Sequence, residues 1–429
     1  MLKFSCQQKN YCCMIPKSSI LNLCFGICTI LLFGSCVKDK LTKTYTIYTP
    51  VYQTREEVIA SIKNGPVQSL SSPGKIYMYN HYIFLNEINR GVHIIDNRDP
   101  AAPKIKAFIK IPGNNDIAVR GKYLYADMFT DLVTIDISDP LNTRLISVLP
   151  KLFPERLYGS NFEADTSKVL VDWIARDTIV QEGTNPWAGG CRNCFLDFAA
   201  ISGNSNTGVP GTGGSMARFT IVNDYMYTVG TRDLTALSLT EPAEPRIEKV
   251  SQVGMDIETI FPFKDKLFIG SSSGMFIYGI TNASAPDRLS SFSHARACDP
   301  VVADDKYAYV TLRTGNWCGG VQNVLDVVDV SNVLTPRLVA THQLVNPHGL
   351  SKDDNLLFIC DGRDGIKMFD VSNVKEPVLL HHVKGLDTYD AIAWNNKLLV
   401  VSKTGIDQFD YSSRNSLKHL SNLKINGKQ

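Results

Sequence analysis

One sequence frame recurs along the chain about every 40 residues. An apolar run ends in Asp or a small residue, an acceptor side chain usually follows three positions later, and proline often comes soon after. The residue that ends the run is Asp96, Asp136, Ser238, Gly279, Asp329, Asp370 or Asp410. The gaps between these residues are 40, 102, 41, 50, 41 and 40, so seven units share one period, with one long insertion.

Each unit contains four short apolar runs separated by turn residues. In the sixth unit they are HGLSKD, NLLFICDG, GIKMFDVS and PVLLHHV, and none has helical periodicity over a useful length. Four antiparallel strands in about 40 residues is the pattern of a propeller blade. The sequence therefore predicts an all-β fold, a seven-bladed β-propeller of four-stranded antiparallel blades over 70–425, with a long insertion at 151–215 between blades two and three. A parallel solenoid is disfavoured, because links such as NRG, SSG and KTG are typical of hairpins.

The apolar runs also resemble a known family. LDVVDVS from Leu325 and LVTIDIS from Leu132 resemble the LVIVD-repeat family, and the resemblance covers the chain from about Pro73 to Ile425. It implies a propeller fold of the kind found in secreted and surface lipoproteins of bacteria, including those of Bacteroidetes. It implies no particular reaction.

The N-terminal segment is predicted to direct export. The stretch SSILNLCFGICTILLFGSC is apolar and uncharged, as in a secretory signal, and it ends in Gly-Ser-Cys36. This ending resembles the lipobox of bacterial lipoproteins, although Phe33 stands where that family usually has Leu or another aliphatic residue. We expect a signal peptide at 1–35, lipidation of Cys36, a lipid-anchored tether at 36–69, and a place in the cell envelope at the outer membrane, periplasmic or surface-exposed. A membrane-spanning anchor is the alternative.

The charge of the chain argues against one class of partner, and its cysteines predict disulfides. The net charge is +2, from 44 basic and 42 acidic residues without a long run of either sign, so nucleic acid is not an expected partner. In an exported chain, disulfides form and persist. We expect one between Cys298 and Cys318, which flank adjacent antiparallel strands. We expect another between Cys191 and Cys194, for which a redox pair or half of a metal site is the alternative. Cys360 lies in an apolar strand and is expected to be a buried thiol.

The repeated acidic frame is predicted to be structural. Asp at a strand end accepts hydrogen bonds from backbone N–H groups two or three residues later, and so closes an Asx-turn. The second acceptor position holds Asp99, Asp139, Glu241, Asn282, Asn332, Asn373 or Ser413. What the units share at this position is thus an acceptor oxygen and not a charge. CDGRDG from Cys360 is expected to be a hairpin turn, since it lacks the ligand spacing of a calcium loop.

A candidate site lies on the opposite face, where the innermost strands begin. Counting back from the second strands places polar residues at these positions: Lys75, Asn115 or Asp116, Arg218, Glu258 or Thr259, Asp299, His348 and Asp390. The long loop of blade five adds Trp317, and the insertion is expected to cap the same face. We expect a ligand site at the channel mouth formed by Arg218, Glu258, Asp299, His348, Asp390 and Trp317. Polar strand ends around a water-filled channel are the alternative.

The favoured function is a binding module for a protein or a glycan, anchored to the membrane through its lipid. The alternative is a hydrolase or lyase acting on a polysaccharide or lactone, with a polar centre of Asp299, His348, Asp390 and Arg218. A structural component of an envelope assembly is a third class. His294, His348 and Asp299 offer a weak metal triad, but no cofactor or metal is expected, and the oligomeric state is left open.

Overall fold

The computed structural model describes residues 42–153, 165, 167–181, 215–293, 300–315 and 322–425. These residues form seven blades, each a four-stranded antiparallel meander, so the predicted seven-bladed propeller is confirmed. The long insertion between blades two and three is confirmed as well, and residues 154–164, 166 and 182–214 of it lie outside the described residues.

The blades follow one another without exchanging strands. Blade one has β3 (Pro73–Tyr79), β4 (Tyr82–Glu87), β5 (Gly91–Asp96) and β6 (Lys104–Lys110); blade two has β7 (Ile117–Arg120), β8 (Tyr123–Met128), β9 (Asp131–Asp136) and β10 (Arg144–Leu149). Blade three has β12 (Phe219–Val222), β13 (Tyr225–Val229), β14 (Asp233–Ser238) and β15 (Arg246–Gln252); blade four has β16 (Ile257–Phe263), β17 (Lys266–Ser271), β18 (Gly274–Gly279) and β19 (Asp287–Ser293). Blade five has β20 (Val301–Ala303), β21 (Tyr307–Leu312), β22 (Val324–Asp329) and β23 (Arg337–Gln343). Blade six has β24 (Leu350–Asp353), β25 (Leu356–Cys360), β26 (Ile366–Asp370) and β27 (Val378–Val383), and blade seven has β28 (Thr388–Trp394), β29 (Lys397–Ser402), β30 (Gly405–Asp410) and β31 (Lys418–Lys424).

The first strand of each blade is the innermost. Neighbouring blades meet through these strands, from β3 against β7 to β24 against β28. Second and third strands are largely buried, whereas fourth strands such as β23 alternate between exposed and half-buried residues. The apolar core therefore lies between blades. For example, Ile83 and Leu85 of blade one pack with Leu399 of blade seven.

The residue that ends each repeated apolar run also ends the third strand of its blade. Because each blade is a simple meander, the turns after the third strands share one face, which we call the turn face. The starts of the first strands and the second-to-third loops share the other face, which we call the channel face. The predicted hairpin links lie there, and Gly405 in one of them has φ of +143°; a Cβ at this position would overlap the Leu423 carbonyl oxygen.

All seven blades share a register shift between the third and fourth strands. It falls between Val327 and Val328 in blade five and between Met368 and Phe369 in blade six, with equivalents in every other blade. Such bulges increase local twist and bend the strand. The repeat therefore fixes the curvature of each outer edge as well as its turn.

Additional elements precede blade one and follow blade two. β1 (Thr42–Gln53) and β11 (Val169–Gln181) form a two-stranded sheet, and β2 (Lys63–Gly65) pairs with β6 as a fifth strand of blade one. Between β1 and β2 lies the helix α1 (Arg55–Ala60), which begins with a capping box in which Thr54 and Glu57 exchange hydrogen bonds. The part of the expected tether from residue 42 to 65 is thus folded into regular elements.

Contacts divide the chain into two compact units. One comprises residues 1–47 and 176–188, and its described part holds a hydrogen bond of 2.7 Å from the Thr46 hydroxyl to Asp177. The other comprises residues 48–175 and 189–429 and contains all seven blades. Within the described ranges, no helix has the length and apolar character needed to cross a bilayer.

Candidate functional site

The described residues of the predicted ring lie where the first strands begin. Lys75 is in β3, Asp116 precedes β7, Arg218 precedes β12, Glu258 is in β16, His348 precedes β24 and Asp390 is in β28. Lys75, Asp116, His348 and Asp390 are buried, while Arg218 and Glu258 are half-buried. Asp299 and Trp317 lie outside the described residues. Six blades therefore each bring a charged or imidazole side chain to the channel face.

Lys75 is the centre of the buried part of this ring. Its ammonium group lies 3.4 Å from a carboxylate oxygen of Asp116 and donates a 2.8 Å hydrogen bond to the carbonyl oxygen of Met216. Burial lowers the pKa of Lys75 to about 7, even though the carboxyl groups of Asp116 and Asp390 oppose the shift. The Lys75 side chain of blade one thus contacts blade two and the end of the insertion.

The end of the insertion runs across the channel. We call Ser215–Ala217 the crossing segment; all three residues are buried. The Ser215 hydroxyl accepts a hydrogen bond of 2.8 Å from the backbone N–H of Leu350 in blade six. The Ala217 carbonyl oxygen accepts one of 2.7 Å from Ile260 in blade four, and the Met216 carbonyl binds Lys75 of blade one. Three residues therefore link blades one, four and six before the chain enters blade three.

Four side chains from consecutive blades form what we call the charged arc: Arg218, Glu258, Arg313 and His348. Burial raises the pKa of Glu258 to about 7, and the guanidinium groups of Arg218 and Arg313 oppose this shift. Burial also lowers the pKa of Arg313, with Glu258 opposing. The carboxyl group of Glu258 therefore interacts electrostatically with both guanidinium groups. The sequence did not single out Arg313 as a site residue, although it begins the long loop of blade five.

The protonation of His348 follows from its neighbours. Its Nε2 atom lies 3.4 Å from Nη1 of Arg313 and 3.2 Å from Nδ2 of Asn346. Because a guanidinium group only donates, Nε2 must accept, and the proton of the neutral ring must be on Nδ1. Burial, together with Arg313, lowers the pKa of His348 to about 3, so the ring is neutral near pH 7. Its Nδ1–H donor is buried without a partner in the described part of the chain.

Two other predicted site residues share this property with several buried polar atoms elsewhere in the described chain. Nε of Arg218 and Oδ1 of Asp390 have no hydrogen-bond partner among the described residues. Burial raises the pKa of Asp390 to about 7, against a hydrogen bond from the Ala391 backbone and the charge of Lys75. Gly349 makes room for this carboxyl group, since a Cβ there would overlap Oδ1 of Asp390. Buried polar groups are normally paired, so these atoms mark places for water or a ligand.

The three described residues of the suggested catalytic centre are not bonded to one another. No hydrogen bond or ion pair joins any two of Arg218, His348 and Asp390, and Asp299 lies outside the described residues. No group of three His, Cys, Asp or Glu side chains within the described ranges is placed to hold a metal ion. His294, the other member of the suggested metal triad, also lies outside them.

The repeated turns are structural, as predicted. Asp329 accepts a hydrogen bond of 2.9 Å from the Ser331 backbone N–H, and Asn332 accepts one of 3.1 Å from Leu334. The first of these bonds recurs at Asp96, Asp136, Ser238, Asp370 and Asp410. Ser238 achieves it with a hydroxyl, which shows that an acceptor suffices.

Three buried acidic side chains on the channel face were not predicted. At the end of the second strand, Glu87, Asp127 and Asp361 each accept hydrogen bonds from two consecutive backbone N–H groups of the segment that leads into the first strand. Asp361 belongs to CDGRDG, which is a hairpin turn as expected. The ammonium group of Lys367 pairs with both Asp361 and Asp364 there, so this cation satisfies the acidic residues.

Of the predictions made for cysteines, the one for Cys360 falls on described residues. Cys360 is a free, buried thiol, and burial raises its pKa well above the usual value. Cys36, Cys191, Cys194, Cys298 and Cys318 all lie outside the described residues, so lipidation and both disulfides stay predictions.

Comparison with known proteins identifies the repeat. Residues 114–147, which span blade two from just before β7 into β10, match the family model of the LVIVD repeat. Blade two carries the LVIVD repeat. The other six blades have the same strand order and outer bulge, and nearly all have the same turn. The fold and the repeat together support a binding or scaffold module.

Solved structures resemble the LVIVD-repeat propeller in fold alone. The computationally designed Ika8 protein is 9% identical with a TM-score of 0.51, and the alignment covers 82% of this chain and 91% of that chain. A functionally unknown protein from Desulfotomaculum acetoxidans is 12% identical with a TM-score of 0.51, covering 83% and 96%. A protein from Lactobacillus plantarum is 11% identical with a TM-score of 0.50, covering 80% and 96%. No curated protein matches the chain in sequence.

Proposed function

We propose that this LVIVD-repeat propeller is a binding module that holds a protein or glycan ligand on its channel face. The observation that carries the proposal is the set of buried polar atoms on Arg218, His348 and Asp390 that have no partner among the described residues. Leaving such atoms unpaired costs free energy, so a site that keeps them is suited to a polar ligand. On the turn face the repeated acceptors are bonded to their own backbone, and among the described residues of its turns one buried atom, Nε2 of His81, also lacks a partner.

The binding test compares variants on the same face. The purified chain is screened against envelope glycans and envelope proteins, and any binder is titrated against Arg218→Ala, His348→Ala and Arg363→Ala. Arg363 is the matched control: it also lies on the channel face, but it is 88% exposed and pairs only weakly with Asp387 at 3.9 Å. We expect about a tenfold or greater loss of affinity for the first two variants and little change for the third. Equal affinity in all three would contradict the proposed site.

We further propose that the protein is a lipoprotein anchored to the outer membrane through Cys36, facing the periplasm or the cell surface. The apolar N-terminal stretch ending in Gly-Ser-Cys36 supports this. Metabolic labelling with palmitate in a bacterial host should label the full chain, and Cys36→Ser should remove the label. An unlabelled wild-type chain, or a labelled Cys36→Ser variant, would contradict the anchor.

A hydrolase or lyase acting on a polysaccharide or lactone is the second candidate. It is favoured by the raised pKa values of Glu258 and Asp390, both about 7, because a general acid works best with a pKa near the working pH. Release of reducing ends or opening of a lactone, abolished in Asp390→Asn and unchanged in Arg363→Ala, would establish this activity. Turnover that persists in both Asp390→Asn and Glu258→Gln would rule out these groups as its acids.

A further inference from the structure

The charged arc carries more positive than negative groups. It has the two guanidinium groups of Arg218 and Arg313 and one carboxyl group, Glu258, whose raised pKa keeps part of it neutral near pH 7. The remaining member, His348, is neutral. Charges in a partly buried concave site attract counter-charges more strongly than charges on an open surface. The arc is therefore suited to an anionic group.

The unpaired atoms of the arc are donors. Nε–H of Arg218 and Nδ1–H of His348 both need acceptors, and neither finds one in the described part of the chain. A guanidinium group binds a carboxylate through parallel N–H···O bonds, which gives both energy and orientation. A carboxylate supplies two acceptor oxygens and the charge in one planar group.

The surroundings favour a sugar acid over a peptide. Peptides commonly bind by pairing with free strand edges. At these first strands, however, the backbone N–H groups of Ile260, Leu350 and Ala393 are already bonded within the chain. The four arc residues also offer no apolar anchor of the kind that dominates protein interfaces.

The neighbouring groups suit a sugar ring instead. Oδ1 of Asp390 has no partner in the part of the chain that the structure describes, and the half-buried Tyr389 places its ring 5.5 Å from that of His348. A carboxyl oxygen can hydrogen-bond a sugar hydroxyl, and an aromatic ring can cover the apolar face of a sugar. We infer that the charged arc binds the carboxylate of an acidic glycan, a chain containing uronic acid residues. This inference rests on the proposed binding function and names its ligand class.

The experiment uses ligands that differ only in charge. Binding of the purified chain is measured by calorimetry with tetramers of galacturonate, glucuronate and mannuronate, with their methyl esters, and with tetraglutamate as the peptide carboxylate. We expect at least one uronate tetramer to bind and its ester to bind about 10- to 100-fold more weakly, since the ester loses the charge-assisted bonds. Affinity for the acid should fall as salt is raised.

Substitutions of the arc arginines test where the carboxylate of the ligand binds. Arg218→Gln and Arg313→Gln should each weaken uronate binding about 10-fold or more, while Arg363→Gln on the same face should not. Thermal unfolding of each variant checks that the fold is kept. If Arg218→Gln proves unstable, Arg218→Lys keeps the charge and removes the planar fork, and intermediate binding is then expected.

Each of the other outcomes overturns the inference and shows whether the glycan or only its carboxylate was wrongly assigned. Equal affinity for acid and ester, lost in Arg218→Gln, would support a glycan-binding channel face but reject carboxylate recognition. Binding of tetraglutamate and no uronate would assign the arc to a protein ligand. Absence of binding to every tetramer rejects the acidic glycan, and the proposed function then depends on the wider ligand screen.

Discussion

Aspartate side chains on the two faces have different environments. On the turn face, Asp329 closes a turn through a backbone N–H, and the hydrogen bond lowers its pKa. On the channel face, Asp390 is buried beside Gly349, one of its oxygens has no partner among the described residues, and its pKa is raised to about 7. The same residue type therefore closes a turn in one place and forms a buried carboxyl group with a raised pKa in the other, because hydrogen bonding dominates the first environment and desolvation the second.

The turn account predicts that the acceptor at position 329 matters more than its charge. Asp329→Asn keeps an acceptor oxygen, and we expect it to change the free energy of unfolding by less than about 0.5 kcal/mol. Asp329→Ala removes the acceptor and should cost about 1 kcal/mol. Urea unfolding followed by circular dichroism measures both. If the two variants lose equal stability, the charge and not the hydrogen bond is what the turn needs.

The channel-face account predicts a pH-dependent difference for Asp390→Asn. The folded pKa of Asp390 lies above its unfolded value, so this carboxyl group contributes stability at low pH that is lost as the pH rises to about 7. The Asn variant cannot ionise. Its free energy of unfolding should therefore rise relative to wild type between pH 4 and pH 7 and stay level above pH 8.

Asp329→Asn is the control for this measurement. Because the pKa of Asp329 is lowered, its contribution changes only at acidic pH, below its unfolded value of about 4. The difference between this variant and wild type should be constant from pH 5 to pH 8. A flat difference for Asp390→Asn over that range would mean that its carboxyl group ionises normally in the folded protein.

At the scale of elements, the crossing segment connects blades that are not neighbours in the ring. Ser215 reaches Leu350 in blade six, and the Met216 carbonyl reaches Lys75 in blade one. Most other contacts between blades join sequential neighbours through their first strands. The end of the insertion therefore acts as a brace across the channel.

Removing the Ser215 hydroxyl tests the brace. Ser215→Ala leaves the buried N–H of Leu350 without its acceptor, and we expect a loss of about 1 to 3 kcal/mol in the free energy of unfolding. Ser351→Ala is the matched control for a hydroxyl that joins neighbouring blades, since Ser351 accepts a 3.0 Å hydrogen bond from Ala393. Hydrogen exchange should show faster opening of β24 in Ser215→Ala. An unchanged exchange rate for β24 would mean that the brace does not restrain blade six.

At the scale of the whole molecule, the ring closes without a shared strand. All four strands of blade seven come from one continuous segment, so closure depends on contacts with blade one. The amides of Asn97 and Gln408 exchange two hydrogen bonds, of 2.8 and 3.1 Å, and both residues are buried. A bridge between Leu70 and Ile425 adds a backbone link.

A double-mutant cycle tests this closure. Asn97→Ala and Gln408→Ala should each cost about 1 to 3 kcal/mol, because each leaves the other amide buried and unpaired. The double variant should cost clearly less than the sum of the two, with a coupling of about 1 kcal/mol or more. Additive losses would show that the two amides do not support each other.

The repeated strands and turns of the blades could be predicted from the sequence, whereas contacts that occur only once in the fold could not. The seven residues ending the apolar runs all end third strands, because a period of 40 residues survives in the pattern of acceptors and apolar runs. The pairing of β1 with β11 was not predicted, since it joins segments more than 100 residues apart and neither carries the repeat. Arg313 went unrecognised because its neighbours, Glu258 and His348, come from other blades.

Hydrogen exchange of the full chain, with and without a saturating uronate tetramer, tests whether the channel face binds an acidic glycan. We expect protection on the channel face, in segments 216–220, 256–260, 346–350 and 388–392, with the repeated turns at 96–102 and 329–335 unchanged. Protection confined to those turns, or no protection anywhere, would contradict it.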